Sequence, residues 1–159
     1  MKAAAILMSL SLFGFGGPPL RDVRSVHMGD WLMVTTHDHF TGEIRCKAAT
    51  HTVSLGRDAV TFRFLPTDDT SNAVYRLDLG APHAVQAISR DMIAYGRPIN
   101  LVSLDNPSAG EVVLPLKALM GVQRVDIRLD ENARPKAFSL KGLDAVLAAY
   151  RNAGCPTPS

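Results

Sequence analysis

A chain of 159 residues, 47% hydrophobic and 20% charged with a formal charge of +2, is long enough to bury one substantial core and too short to favour two. Its 17 basic and 15 acidic residues are dispersed, so the clustered positive charge that displaces counterions from nucleic-acid phosphates is missing. No polybasic or strongly amphipathic stretch marks the mature protein for a membrane surface.

The chain opens with Lys2 and an apolar run from Ala3 to Phe15 interrupted only by Ser9, Ser11 and Gly14. That run is too short to anchor stably in a bilayer and has the length of a signal-peptide core. Gly14 and Gly16 place small residues at the −3 and −1 positions of a cut before Gly17, and Pro18 and Pro19 follow. Residues 1–16 therefore read as a cleavable signal peptide, and no cysteine follows to take a lipid anchor. The competing reading, an apolar helix packed in the core, would need a polar face and a cap that this stretch lacks.

Residues 17–28 read as a polar entry segment and residues 29–159 as one β-rich domain. Trp31 to Thr36 is rich in strand formers and runs into a turn-like stretch, His37 to Gly42. Glu43 to Ala48 follows closely enough to pair with it as a hairpin, its alternation turning Ile44 and Cys46 inward. Val60, Phe62 and Phe64 share one face of the next strand, between Gly56 and Pro66. After a polar loop at 66–72, Ala73 to Leu79 alternates again, with Tyr75, Leu77 and Leu79 on one side.

His83 to Tyr95 fits both a helical stripe and the start of a strand. Ile99 to Leu104 and Glu111 to Leu114 read as short strands around the Asn106-Pro107 turn, and Pro115 to Gly121 has the length of one helical turn. Val125, Ile127 and Leu129, alternating with Arg124, Asp126 and Arg128, make a last strand. Beyond it the period changes to 3.6: Leu143, Val146, Leu147 and Tyr150 predict an amphipathic helix over 140–153, with Ser139 as N-cap and Gly154 just past its end. The expected fold is mainly β, an antiparallel sandwich or barrel-like sheet, with this helix packed on it.

Cys46 and Cys155 are the only cysteines, and in an exported protein they are expected to form a disulfide fixing the helix to the sheet. The alternative makes Cys46 a nucleophile with His51 as its base, which requires a free thiol and an orienting third group.

Familiar catalytic patterns are absent: no Gly-x-Ser-x-Gly, His-Glu-x-x-His, phosphate-binding loop or dinucleotide fingerprint. The local cluster that bears on chemistry is Thr36-His37-Asp38-His39. Imidazoles two apart on an extended segment fall on one side and can share zinc or copper, with Asp30, Glu43 or His51 as a third ligand. The simpler reading is a solvated turn in which Asp38 bonds its own backbone. Trp31, the single tryptophan, is expected in the core. Asp68 and Asp69 supply too few oxygens for calcium. Arg97, Arg124 and Arg128 would form an anion site only if the sheet gathered them.

Gly29-Asp30-Trp31, the early Cys46, and Phe138-Ser139-Leu140-Lys141-Gly142-Leu143 before a short Ala-rich helix resemble the ends of the small exported proteins of the invasion-associated locus B type from alphaproteobacteria. That resemblance implies a β-rich periplasmic or secreted domain with an envelope or host-contact role, and carries no catalytic residue. Residues and resemblance together give the expectation of a non-catalytic binding or accessory module without a cofactor, whose partner is an envelope or host protein and not nucleic acid. The mature chain is expected to have no stable membrane anchor. The alternative is a small periplasmic hydrolase or metal-dependent enzyme built on His37 and His39.

Overall fold

The computed structural model describes residues 20–56, 58–85 and 110–156. Residues 1–16, expected as a signal peptide, Arg97, the expected strand at 99–104 and turn at 106–107, and most of the ambiguous 83–95 stretch lie outside the described residues.

Trp31-Leu32-Met33-Val34 alternates large and outward-facing residues, and it continues as strand through Asp38 to form β2 (Trp31–Asp38). The turn expected from His37 begins two residues later, where Asp38 Oδ1 accepts the N–H groups of Phe40 and Thr41 at 2.9 and 3.1 Å. Gly42, at φ 72°, turns the chain into β3 (Ile44–Ala49), which pairs antiparallel with β2. β4 (Val53–Leu55) and β5 (Ala59–Arg63) follow as a second hairpin, and β5 pairs in turn with β8 (Glu111–Pro115).

The polar entry segment is a strand as well. β1 (Arg21–Met28) pairs along its whole length with β2, completing a six-stranded sheet in the order β1-β2-β3-β4-β5-β8. A second sheet contains β6 (Val74–Leu77), β7 (Pro82–Ala84), β9 (Arg124–Arg128) and β10 (Lys136–Ser139), in the order β10-β9-β6-β7. Among the described residues all the pairings are antiparallel. A short 3-10 helix, Leu116–Leu119, occupies the predicted helical turn.

The two sheets share one core. Residues opposite one another across antiparallel strands lie on the same face, so Val53, Phe62 and Val112 form one inward rung of the larger sheet and Leu77, Val125 and Phe138 one of the smaller. The rungs meet at Phe138, whose ring packs edge-on against Phe62 and Phe64 at centroid distances of 5.1 and 5.3 Å. Lys136 closes the rim, its ammonium 4.9 Å from the Phe64 ring and 5.1 Å from Phe138 while donating to the Arg63 carbonyl at 3.1 Å.

The C-terminal helix α1 spans Leu143–Asn152 and buries Leu143, Val146, Leu147 and Tyr150. It starts three residues later than its apolar stripe predicted. Ser139 cannot cap it, because Ser139 is held in β10 opposite Arg124 and Leu140 N–H bonds to the Gln123 carbonyl at 2.9 Å. Gly142, at φ 92°, is the N-cap. The other end matches expectation: Gly154 is left-handed at φ 72°, with Gly154 N–H bonding to Arg151 O and Cys155 N–H to Tyr150 O, the paired bonds of a Schellman cap. β6 also ends early. Asp78 turns left-handed at φ 49° and accepts the N–H groups of Gln123 and Arg124 with Oδ1, so Leu79, expected inside, is 91% exposed.

Candidate functional site

Cys46 stands on the inward face of β3, opposite Thr35, and Cys155 follows the helix cap. The two form a disulfide with Cα atoms 5.9 Å apart, within the range the bond requires. Cys46 therefore has no thiol to attack with, and His51 lies exposed in the turn between β3 and β4. The bridge joins the sheet to the helix, as the sequence implied.

His37 and His39 do come together, with ring centroids 4.5 Å apart and planes tilted by 54°. Around them, Asp38 is committed to the turn and to Arg21, whose Nε lies 3.5 Å from its carboxylate. Glu43 takes a hydrogen bond of 2.7 Å from Arg45. Among the described residues, no group of three or more His, Cys, Asp or Glu side chains could hold a metal ion. Asp68 Oδ2 accepts from Leu65 N–H and Asp69 Oδ1 from Ser71 N–H, so each carboxylate caps a turn of its own loop. Trp31 is fully buried and donates its indole N–H to the Lys141 carbonyl at 3.1 Å.

The outer face of the smaller sheet gathers a polar constellation. Alternation along β9 puts Arg124, Asp126 and Arg128 on one face, and the register sets Arg76 of β6 opposite Asp126. Asp126 is only 4% exposed. Its Oδ1 accepts from Arg124 Nε at 2.7 Å and its Oδ2 from Arg76 Nη2 at 2.9 Å. Burial pushes the carboxyl pKa up, but the hydrogen bonds and charges of Arg124 and Arg76 outweigh it and hold the group below its ordinary value. Beside this triad lies an open cleft of about 260 Å³ lined by Val74, Arg76, Pro82, Asp126, Arg128 and Pro135.

Two of the arginines weighed as anion ligands thus share a face, while Arg97 lies outside the described residues. Arg76 and Asp126 were not singled out from sequence. The period-two run Arg124-x-Asp126-x-Arg128 was the available signal, and its partner Arg76 depended on a strand pairing about 50 residues distant in the chain.

Chemically, Arg76 and Arg124 bond Asp126 while Arg128 lines the cleft outside that pairing, so three guanidinium groups and one carboxylate leave the face net positive, with donors of the kind that hold a carboxylate or phosphate group. At about 260 Å³ the open cleft lies just below the size range of pockets that enclose drug-sized ligands. Comparison of the chain with models of known families, with curated proteins and with solved structures finds no match.

Proposed function

We propose that this protein is an exported, non-catalytic binding or accessory module of the periplasm or the secreted fraction, and that it contacts an envelope or host component through the arginine-flanked cleft on β6 and β9. The observation that carries the reading is the Cys46–Cys155 bridge, because a structural disulfide persists in oxidising compartments and is rare in the cytosol. The short apolar leader after Lys2 and the resemblance to the invasion-associated locus B type support the same destination. Among the described residues no helix is long and apolar enough to cross a membrane.

The test is mass spectrometry of the protein taken from the producing cell, with thiols alkylated before reduction. The expected species lacks residues 1–16 and carries the bridge. Affinity capture is then compared between wild type and Arg128→Glu, which reverses the charge of a cleft arginine outside the Asp126 ion pairs and should release the partner. Protein that keeps Met1 and two free thiols would overturn the export reading, and a partner held equally by both proteins would remove the cleft from it.

A further inference from the structure

The edge strand β1 is built to pair with itself, and we infer that two copies of this chain associate through antiparallel β1–β1 pairing with Val23 on the two-fold axis. β1 ends the larger sheet, with no neighbour on its other side among the described residues. Three of the large apolar side chains that the protein leaves exposed fall on or next to this strand: Leu20 at 70%, Val23 at 62% and Val26 at 55%. An eight-residue edge with exposed apolar residues is a template for strand addition.

The hydrogen-bond phase of β1 restricts which registers are possible. His39 N–H bonds to the Leu20 carbonyl, so in an antiparallel ladder the even residues of β1 exchange bonds with β2 and the odd ones, Arg21, Val23, Ser25 and His27, point their N–H and C=O groups to the free edge. A second copy must therefore pair odd residues with odd. Placing Val23 opposite Val23 also puts Asp22 opposite Arg24 twice, and Leu20 opposite Val26 twice. Every exposed apolar residue of the strand then meets another, and every acid meets a base. Moving the axis to Asp22 or to Arg24 sets like charge on like charge, and moving it to Ser25 sets Arg24 against Val26 and Asp22 against Met28. Charges on an edge strand usually discourage pairing; here their order favours a single register. A seven-residue ladder is a small contact, so the dimer is of the weak, reversible kind.

The test is sedimentation of the chain purified from its producing cell, over concentrations from micromolar to about one millimolar, the range of weak association. Wild type is expected to move from monomer toward dimer. Val23→Pro removes an N–H that serves the free edge and not β2, and should weaken association about tenfold or more. Asp22→Arg and Arg24→Asp should each be monomeric alone, since each sets two like-charge pairs across the axis, and an equimolar mixture of the two should recover a heterodimer. Within one chain Arg24 Nε already donates to Asp22 Oδ2 at 3.1 Å, and recovery in the mixture cannot come from repairing that contact, because it stays broken in each variant chain. A wild-type monomer throughout the range would overturn the inference. So would a dimer insensitive to Val23→Pro and to both charge reversals, or a mixture that stays monomeric.

Discussion

Asp126 lies on the face of β9 that points away from the core, where alternation alone predicts exposure, yet it is buried. The aliphatic stems of the neighbouring arginines can shield it from water while their charged ends stay wet, as long basic side chains commonly do. That is why its burial was illegible in the sequence, although its face was not. Its ionised form is favoured by folding, so this carboxylate contributes stability above its ordinary value of 3.8; the contribution is lost as pH falls through the lower folded value. Asp126→Asn keeps the shape and removes the charge. At pH 7 it should cost about 1 to 2 kcal/mol, toward the low end for charge-assisted hydrogen bonds because both arginines are half in solvent. In urea unfolding at pH 7, 4 and 2.5 the gap between variant and wild type should close toward acid, and a gap that stays constant would show that the linkage is wrong.

The strands legible in the sequence, β2, β3, β5, β6, β8 and β9, are rich in strand formers or alternate better-buried apolar side chains with more exposed ones. Those that were not have little pattern to show. β1 fully buries none of its eight residues, β4 has three residues, β7 buries none of its three residues, and β10 buries only Phe138. Their ladders are supplied by neighbouring strands, a tertiary effect that local pattern does not contain. The start of α1 shows the same contest, since the β10 ladder holds Ser139 and shifts the cap to Gly142. There the backbone is left-handed at φ 92°, and an added Cβ would meet Trp31 Cδ1 at 3.3 Å. Gly142→Ala should therefore destabilise the protein by about 1 to 2 kcal/mol, chiefly through backbone strain at positive φ. Thermal unfolding should record a lower midpoint with unchanged far-ultraviolet circular dichroism before the transition. A midpoint equal to or above wild type would mean that the cap relaxes into another conformation.

Across the whole molecule, the mainly β class and the C-terminal helix were readable, but strand order was not. β5 reaches β8 and β6 reaches β9 over long separations, and nothing local names such partners. The one long-range contact the sequence did name was Cys46 with Cys155, because two cysteines oxidised within one chain leave a single intramolecular pairing. That bond closes a separation of 109 residues, for which loss of chain entropy in the unfolded state is worth about 4 to 5 kcal/mol in the usual model. The folded state makes little demand on it: Cys155 is already placed by the Schellman bonds at Gly154 and Cys155, and α1 is seated by four buried side chains. Cys155→Ser should consequently keep the native fold and lose about 2 to 5 kcal/mol. Its dependence on urea should also steepen, because an unfolded chain without the cross-link exposes more surface. Equilibrium unfolding of wild type and variant under non-reducing conditions measures both quantities. An unchanged midpoint would show that the bridge contributes no stability, and a variant already unfolded in buffer would show that α1 depends on the bond for its native placement.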